Sequence, residues 1–394
     1  MSGPLRGLKV LDLSRVLAGP FCTMLLCDLG ATVIKVEKPG VGDDSRSFGP
    51  MIGAQSAYFM SINRGKKGIT LDLKNPRGRE ILLELAEKSD VLVENFRPGA
   101  MEKLGLGYKT IKERNSRIIY ASSSGFGHTG PLKDRPAYDI IIQGMSGIMS
   151  ITGFDEDNQS KVGSSIADIL CGVFTAFAVL AALNNRHETG KGQYIDVAML
   201  DCMIAVLENA ILRYSVTGEI PKPVGNRHVS IAPFGTFECL DGKINIGIGN
   251  NQLWSNFCKA LEMSEFESDK RFASNEARAE NVNELTEIVN SRLRLRRTEE
   301  WLKIFGIMGI PSGKICNIAE LFQNPQVIAR NMIENMSCGG RRLSVAGIPL
   351  KFSETPASIE GPAPGLGEHN EEVLRDVLGM SAKEIEELRI EGAI

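Results

Sequence analysis

The stretch LKVLDLSRVLAGPFCTMLLCDLGATVIKVE, residues 8–37, sets the fold class of this chain. Two short β-rich runs, LKVLDL (8–13) and ATVIKVE (31–37), flank the apolar segment PFCTMLLCDLG (20–30), which ends on glycine, a common helix stop. The rhythm continues with a predicted helix over 75–90 and predicted strands over 90–96 and 117–125. It predicts an α/β fold with a parallel, doubly wound sheet. The turn SRVLAGP lacks GxGxxG, so the dinucleotide-binding fingerprint is absent.

Length and a change of pattern predict two domains. The 394 residues exceed what one ordinary core supports. From Gly218 the sequence becomes rich in proline and glycine, which is typical of a linker. We therefore expect the first part of a large domain over 1–216, a linker and small α+β domain over 217–325, and a return to the large domain over 326–394.

Several elements are predicted around these boundaries. One helix is expected over 200–216, and a hairpin over 237–249 with Asp241-Gly242 at its turn. Further helices follow to about Leu321. The last segment predicts glycine- and proline-rich loops and then one charged terminal helix over 369–390.

Composition argues against several classes of function. The formal net charge is −3, so the chain lacks the basic field that drives nucleic-acid binding. The four histidines are far apart and the eight cysteines form no CxxC pair, so we predict no metal site and expect mostly reduced, buried thiols. The uncharged run 169–183 is shorter than the about 20 residues of a membrane span and predicts a core helix. With no secretory signal at the N-terminus, we expect a cytoplasmic protein without a membrane partner.

One carboxylate stands at the head of that apolar helix. In VGSSIADILCGVFTAFAVLAALNNR, residues 162–186, Asp168 follows Ser164 and Ser165, either of which suits the N-cap. The helix dipole favours an anion in the first turn, so Asp168 can simply stabilise its own helix. Alternatively, it is a desolvated, ionised nucleophile. Burial would raise its pKa and the helix terminus would lower it, and the sequence does not decide between them.

A second candidate site lies where the strand 90–96 ends. There Arg97-Pro98-Gly99 opens a helix, and free N–H groups beside Arg97 suit a phosphate. Additional positive charge is available from Lys38, Lys74 and Lys103. The structural interpretation is an ordinary turn with solvated lysines.

Two more segments have both a functional and a structural interpretation. Tyr138 and Asp139 precede an apolar helix, where Tyr138 either presents its hydroxyl to a site or is a core tyrosine. GIGNNQLW, residues 247–254, is either a flexible loop with amide donors or a plain turn at the end of a strand.

Taken together and in this order, segments along nearly the whole chain resemble the class III CoA-transferase family, which includes formyl-CoA transferases, carnitine CoA-transferases and α-methylacyl-CoA racemases. The segments are LDLSRVLAGPFCTMLLCDLGATVIKVEKPGVGDDSR, ITLDLKNPRG, VENFRPGAMEKLG, PAYDIIIQGMSG, ADILCG, RHETGKGQYIDVAMLD, GIPLKFSETP and PGLGEHNEEVL. The resemblance implies an interlocked homodimer. Each chain would have a Rossmann-like large domain, built from both chain ends, and a smaller domain between them.

The resemblance also implies a chemistry. Asp168 would attack an acyl-CoA thioester to form a mixed anhydride, and the CoA thiolate would then convert this into an aspartyl-CoA thioester. A small carboxylic acid would collect the CoA through the reverse sequence. Coenzyme A and acyl-CoA act as substrates, and no permanently bound cofactor is implied.

Other matched positions take supporting roles under the resemblance. Tyr138 falls near the thioester. The glycine loop over 247–252, with Gly247, Gly249, Asn250 and Gln252, would shield the intermediates from water. The positions expected to hold CoA are Val16, Lys38, Lys74, Asn95, Phe96, Arg97 and Lys103.

Within the family, the residues favour a transferase. Racemases carry a histidine where this chain has Tyr138, and a glutamate where it has Gly249-Asn250-Asn251. The alternatives are an α-methylacyl-CoA racemase or epimerase and a catalytically silent CoA-binding protein.

The substrate pocket departs from the pattern of the formyl-CoA/oxalate subgroup. That subgroup carries glutamine and tryptophan where this chain has Leu17 and Phe48, which argues against oxalate. Arg227 and His228 either hold the second carboxylate of a dicarboxylic acid or are a solvated pair in the linker.

Overall fold

The β-rich runs of the sequence form strands in a computed structural model, which describes residues 3–338 and 341–394. In chain order, the strands are β1 (Lys9–Asp12), β2 (Thr32–Glu37), β3 (Met51–Ile52), β4 (Gln55–Ser56), β5 (Lys67–Thr70), β6 (Val91–Glu94), β7 (Ile119–Ser124), β8 (Tyr194–Ala198), β9 (Phe234–Glu238), β10 (Lys243–Gly247), β11 (Ser312–Lys314), β12 (Ile333–Cys338) and β13 (Arg341–Ala346). The α-helices are α1 (Ala18–Asp28), α2 (Ala57–Asn63), α3 (Pro76–Glu87), α4 (Ala100–Lys103), α5 (Tyr108–Arg114), α6 (Asp139–Met145), α7 (Ile166–Thr189), α8 (Met199–Ala205), α9 (Ala210–Thr217), α10 (Asn251–Ala260), α11 (Asn275–Glu280), α12 (Val282–Leu293), α13 (Thr298–Ile307), α14 (Ile318–Leu321), α15 (Pro325–Ala329), α16 (Asn370–Leu378) and α17 (Ala382–Ile390).

The chain divides into two compact units. Unit 1 comprises Met1–Met149, Lys161–Thr217 and Gln326–Ile394, and unit 2 comprises Ser150–Ser160 and Gly218–Pro325. Unit 1 therefore draws on both ends of the chain, while unit 2 is largely one continuous segment.

Unit 1 is built on a six-stranded sheet of order β5-β2-β1-β6-β7-β8, in which every pairing is parallel. The α/β prediction with a parallel sheet is confirmed. From β1 the chain moves to one edge through β2 and β5, and then returns to β6 and moves to the other edge. The order of the strands thus reverses between β1 and β6. Ligands of open α/β sheets bind in the crevice outside the carboxyl ends of strands at such a point.

Both faces of this sheet are covered by helices. Side chains alternate along each strand, so Val10 packs with α1 and α7 on one face, and the next residue, Leu11, packs with α3, α16 and α17 on the other. Burial on both faces explains why the central strand β6 has the continuous apolar run Val91–Val93 rather than an alternating pattern.

Helix α7 carries Asp168 and packs closely on α1. By length and composition, its 24 residues are long and apolar enough to cross a membrane. One face is nonetheless buried against α1 and the sheet, as expected of a core helix, whereas Phe177 is exposed on the opposite face. The close approach requires a glycine, because a Cβ added at Gly172 would lie 2.7 Å from the carbonyl oxygen of Ala18. This packing fixes where α7 begins relative to the sheet.

Several predicted elements differ from the structure. The helix expected over 200–216 is two helices, α8 and α9, with a break that neither glycine nor proline marks and with Glu208 at a φ of 55°. The terminal helix is also two, α16 and α17. Gly379 ends α16 in a left-handed conformation, and Ser381 and Glu384 form a capping box at the start of α17.

The loops expected after Asn324 contain an antiparallel hairpin, β12–β13, in which Ile333 pairs with Ala346. These strands mix polar and apolar residues without regular alternation, so the sequence pattern did not predict them. The short edge strand β5, Lys67–Thr70, was likewise not predicted.

Unit 2 has a three-stranded antiparallel sheet of order β11-β10-β9. The β9–β10 hairpin pairs Glu238 with Lys243, and Asp241-Gly242 lies in its connection, as the sequence predicts. Helices α10, α12 and α13 cover the sheet around an aromatic core, in which Trp301 stacks on Phe305 with 5.4 Å between ring centroids.

Candidate active site

Asp168 is the third residue of α7, and the start of that helix is capped by a residue that is distant in the sequence. Ser165 occupies the N-cap position, but its side chain makes no capping hydrogen bond. The cap is supplied by Asp139, whose Oδ1 accepts a hydrogen bond from the backbone N–H of Ala167 at 2.9 Å. Sequence reasoning missed this role, since Asp139 lies 28 residues before the group it caps.

A buried glutamine ties Asp139 to the segment that leads into α7. Gln143 Nε2 donates to Asp139 Oδ2 at 2.7 Å, and Gln143 Oε1 accepts from the backbone N–H of Val162 at 2.9 Å. The Gln143 side chain is completely buried. The first turn of α6 and the approach to α7 therefore form one hydrogen-bonded unit that places Asp168.

The Asp168 carboxylate is partly buried, and nothing within 3–338 and 341–394 hydrogen bonds to it. Burial raises its pKa to about 7, and the neighbouring carboxylate of Asp139 adds to the increase. Burial is therefore the dominant influence on this pKa, ahead of the Asp139 carboxylate. Near neutral pH, Asp168 is present in both its protonated and its ionised form.

Asp168 opens into a cleft of about 260 Å³ at the carboxyl ends of the central strands. The structure brings seven of the predicted site residues together here: Val16, Leu17, Asn95, Phe96, Arg97, Tyr138 and Asp168. The cleft also contains three basic residues that sequence reasoning missed, Arg15, Lys133 and Arg135. The only local signal for them was their charge, which solvated surface residues share.

A second cleft of about 350 Å³ shares Arg15, Asp44 and Phe96 with the first. It holds the predicted residues Lys38 and Lys74. The Arg15 guanidinium lies 3.3 Å from Asp44 and 5.1 Å from the centre of the Phe96 ring, so it stands at the boundary between the clefts. Apolar side chains form much of the wall of the second cleft: Leu13, Val36, Val41, Leu71, Leu73 and Leu104.

Two predicted residues of unit 1 line neither cleft. Lys103 is exposed on the four-residue helix α4. Phe48 packs edge-on against Tyr58, with 5.5 Å between ring centroids. Tyr58 was not predicted, yet burial and the carboxylates of Asp168, Asp43 and Asp139 raise the pKa of its hydroxyl to about 12. Tyr58 therefore lies within the electrostatic reach of Asp168.

Tyr138 is 77% exposed, so its interpretation as a core tyrosine is wrong. It occupies the N-cap position of α6, directly before Asp139, and lines the Asp168 cleft. Tyr138, at the start of α6, and Asp168, at the start of α7, therefore line the same cleft.

The predicted glycine loop lies in unit 2 and is shorter than expected. Gly247 ends β10, and the side chain of Asn250 accepts a hydrogen bond from the Leu253 N–H at 2.9 Å, capping α10. Asn251 and Gln252 are therefore helical rather than part of a flexible amide loop. Gly247 and Gly249 line a cleft of about 830 Å³ within this unit.

The candidate pair Arg227-His228 also belongs to unit 2. His228 Nδ1 accepts hydrogen bonds from the backbone N–H groups of Ser230 and Ile231 at 3.1 and 3.0 Å, which ties the ring to its own loop. Arg227 is exposed and lines a separate polar cleft of about 530 Å³. Of the two, Arg227 is the one that lines this cleft, and its Nε also donates to the Val224 carbonyl at 3.4 Å.

The cysteines and the possible metal ligands are the remaining candidate groups. Seven cysteines are free thiols, of which six are buried and Cys316 is partly exposed, while the Cys338 side chain lies outside the described residues. Over the described ranges, no three histidine, cysteine or acidic side chains are grouped as metal ligands.

Comparison with known proteins identifies the family. The sequence model of CoA-transferase family III matches residues 5–370. The chain is 43% identical to the acetyl-CoA:oxalate CoA-transferase of Acetobacter aceti over 97% of each chain. It is 39% identical to the human succinyl-CoA:glutarate CoA-transferase, over 99% of this chain and 90% of the relative. Among solved structures, a CAIB/BAIF family protein from Brucella suis matches with a TM-score of 0.85 and 40% identity, over 96% of this chain and all of that one. The chain belongs to CoA-transferase family III and is an enzyme of that class.

Proposed function

We propose that this enzyme moves CoA from an acyl-CoA donor to a small carboxylic acid, with Asp168 as the covalent carrier. The observation that carries this proposal is the Asp168 carboxylate itself. It lies at a helix start in a cleft lined by basic residues, without a hydrogen-bonding partner among the described residues. A carboxylate held only to support the fold is normally satisfied by hydrogen bonds or an ion pair.

The proposed reaction begins when a carboxylate oxygen of Asp168 attacks the thioester carbonyl of the donor. The C–S bond breaks, CoA leaves as a thiolate, and a mixed anhydride joins Asp168 to the acyl group. The thiolate then attacks the aspartyl carbonyl, which releases the donor acid as a carboxylate and leaves an aspartyl-CoA thioester. The acceptor carboxylate runs the same two steps in reverse, and Asp168 is regenerated.

The environment of Asp168 suits both halves of this cycle. Partial burial removes hydrating water from the carboxylate, which makes it a better nucleophile and limits hydrolysis of the anhydride. The N-terminus of α7 favours the anion that attacks and the negative charge that develops at the carbonyl oxygen. Because its pKa is raised to about 7, the active, ionised form increases as pH rises through neutrality.

We assign the two adjoining clefts of unit 1, which share Arg15, Asp44 and Phe96 as lining residues, to the donor CoA. The second cleft, with apolar walls and Lys38 and Lys74, suits a nucleotide whose phosphates need cations. Arg15 and Phe96, shared by both clefts, lie on the route from there to Asp168. In this arrangement the thioester of the donor reaches Asp168 beside Tyr138. Lys103 contributes little to CoA binding, because it lines neither cleft.

The acceptor is proposed to be a dicarboxylic acid. The relatives named for oxalate and for glutarate support this class of substrate. Arg227, exposed in a polar cleft of unit 2, is proposed to hold the second carboxylate. An Arg227→Ala variant should raise the KM of a dicarboxylate and leave that of a monocarboxylate unchanged. Equal KM values for the dicarboxylate in variant and parent would remove Arg227 from the proposal.

We further propose an interlocked homodimer. Support comes from α9, which has no buried residue although it carries Ile211, Leu212, Tyr214 and Val216. Such an exposed apolar surface marks an interaction site, and a second copy of the chain would cover it. Light scattering should give twice the chain mass. Differently tagged dimers should exchange subunits only after unfolding, whereas exchange under native conditions would exclude interlocking.

A cytoplasmic location is proposed as well. Six buried free thiols are compatible with a reducing compartment. Cell fractionation tests this directly, and recovery of the native protein from a membrane or extracellular fraction would contradict it.

The nucleophile is tested with Asp168→Ala. Transfer from the acyl-CoA donor should be lost while CoA still binds in calorimetry, because the clefts remain. Retained transfer would exclude Asp168 as the carrier. Loss of transfer accompanied by α-proton exchange of acyl-CoA in the parent enzyme would instead favour a racemase.

A further inference from the structure

The turn after β1, residues 14–16, is fixed by side chains rather than by backbone pairing. Asp12 Oδ1 accepts a hydrogen bond from the Ser14 N–H at 3.0 Å, and Lys35 Nζ donates to the Ser14 carbonyl at 2.9 Å. The side-chain amide of Asn95 then holds both backbone groups of Arg15, because its Oδ1 accepts from Arg15 N at 2.7 Å and its Nδ2 donates to Arg15 O at 2.8 Å. These side chains come from β1 itself, from the neighbouring strand β2 and from the residue after β6.

The last group in the turn is held by Asp43. The Val16 N–H donates to both carboxylate oxygens of Asp43, at 3.1 and 3.3 Å. Val16 has a φ of 66°, in the left-handed region that a β-branched residue rarely occupies. A backbone in that region persists only where its surroundings enforce it. Here the Asp43 carboxylate supplies the constraint.

The side chains that hold the turn are themselves locked by buried ion pairs. Lys35 Nζ lies 2.9 Å from Asp43 Oδ2, and Lys66 Nζ lies 3.0 Å from Asp12 Oδ2. All four of these side chains are fully buried. Buried pairs of this kind often add little net stability compared with apolar residues of similar size. They do keep their oxygen and nitrogen atoms in fixed positions.

The turn that they hold forms a wall of the site. Arg15 and Val16 line the Asp168 cleft, and Arg15 also lines the second cleft. A change in the left-handed geometry at Val16 would therefore redirect Arg15 and alter both clefts. Lys35 lines neither cleft, so it acts on the site only through the groups that it holds: Ser14 O in the turn, and the Asp43 carboxylate, which itself lines the second cleft.

We propose that Lys35 and Asp43 are positioning residues for acyl-CoA, which hold the 14–16 turn through Ser14 O and Val16 N. Their buried charges fix a backbone shape that the sequence of the turn would not adopt alone. The inference rests on the proposed assignment of the two clefts to CoA.

The test is a double-mutant cycle on Asp43 and Val16. Asp43→Asn keeps the shape of the side chain but removes the carboxylate that pairs with Lys35 and accepts from the Val16 N–H, so the turn should lose its left-handed geometry. We expect kcat/KM for acyl-CoA and the calorimetric affinity for CoA each to fall about tenfold or more. The KM for the carboxylic acid acceptor should not change.

Val16→Gly provides the rescue arm of the cycle. Glycine adopts a positive φ without steric penalty, so it should restore much of the lost CoA affinity in the Asp43→Asn background. The same change in the parent should give no such gain. A purely structural role of Asp43, or a direct contact between its carboxylate and CoA in the second cleft, would show no coupling to position 16.

The matched control is Asp28→Asn. Asp28 and Arg64 form another buried ion pair of unit 1, with 2.6 Å between Oδ2 and Nη2, and neither residue lines a cleft. This variant should lose stability in urea and keep the parent kcat/KM and CoA affinity. If Asp43→Asn does not fold, the charge-free pair Lys35→Met with Asp43→Asn replaces it, and weaker CoA binding is still expected.

The proposal is overturned if the folded Asp43 variants bind CoA as tightly as the parent, or if Val16→Gly gives no rescue. The CoA affinity also separates this inference from the nucleophile assignment. Transfer that survives Asp168→Ala would refute the chemistry proposed for Asp168, and a loss of CoA affinity in Asp43→Asn would stand independently of it.

Discussion

Replacing Asp168 by asparagine should make the protein more stable as it becomes inactive. The pKa of this carboxyl rises from the 3.8 of an ordinary aspartate to about 7, chiefly because of burial. Below pH 3.8 the group is protonated in both the folded and the unfolded chain and has no differential effect on stability. Between these two values the unfolded chain releases the proton and the folded one retains it. Folding therefore becomes less favourable as pH rises, until the folded group also ionises.

The magnitude follows from that difference. About three pH units at 1.36 kcal/mol each correspond to a penalty of about 4 kcal/mol above pH 7. Of this, about 2 kcal/mol develops between pH 5 and pH 7. Asparagine resembles the protonated aspartate and does not titrate. The Asp168→Asn variant should thus gain up to about 4 kcal/mol over the parent at pH 8, and clearly less at pH 5.

Urea unfolding of the parent and of Asp168→Asn at pH 5 and pH 8 measures this effect. The unfolding free energy that the variant gains over the parent should be larger at pH 8 than at pH 5. The control is Asp376→Asn, since Asp376 is an exposed carboxylate beside Arg375 on α16. Its effect should be small at both pH values. Equal effects of Asp168→Asn at the two pH values, or a loss of stability at pH 8, would refute the argument that desolvation dominates at Asp168.

Three further changes test other parts of the structure. Asp139→Asn removes a negative charge beside Asp168 and should therefore lower the pKa of Asp168. The acidic limb of the pH profile of kcat/KM should then move to lower pH. A limb that does not move would contradict this electrostatic coupling. Gly172→Ala places a methyl group 2.7 Å from the Ala18 carbonyl oxygen and should destabilise the protein by about 1–3 kcal/mol in urea unfolding. The control is Gly306→Ala, in a helix with open space around the added methyl group, which should be neutral or stabilising by about 1 kcal/mol. Arg15→Ala should raise the KM for acyl-CoA at least several-fold, because Arg15 lines both clefts. Lys103→Ala should leave this KM unchanged, because Lys103 lines neither cleft. The opposite ranking in steady-state kinetics would show that the CoA path is misassigned.

Local sequence patterns predicted those elements that local physics determines. The first strand-helix-strand unit, the parallel sheet and the apolar helix behind Asp168 all follow from periodicity and helix-stop signals. The hairpin β12–β13 was missed because its strands alternate poorly. The break between α8 and α9 was missed because no glycine or proline marks it.

The functional surroundings of Asp168 were harder to predict, because they depend on contacts between distant residues. Asp139 caps α7 from 28 positions away, and Lys35 reaches Ser14 from the neighbouring strand, 21 positions along the chain. Neither interaction has a signature in the local sequence, since each residue also suits a solvated turn or a strand. The pKa of Asp168 belongs to the same category. It depends on how much of the carboxylate the fold removes from water, which only the packed structure determines.

The central claim is that Asp168 carries the acyl group and then CoA. The most direct measurement is peptide mass spectrometry after incubation with a panel of acyl-CoA donors, with hydroxylamine or borohydride added to trap activated carboxyl groups. We expect a modification on the peptide that contains Asp168, formed only with donors that support turnover and absent in Asp168→Ala. Turnover with no trapped adduct at Asp168, or an adduct on another residue, would contradict the mechanism.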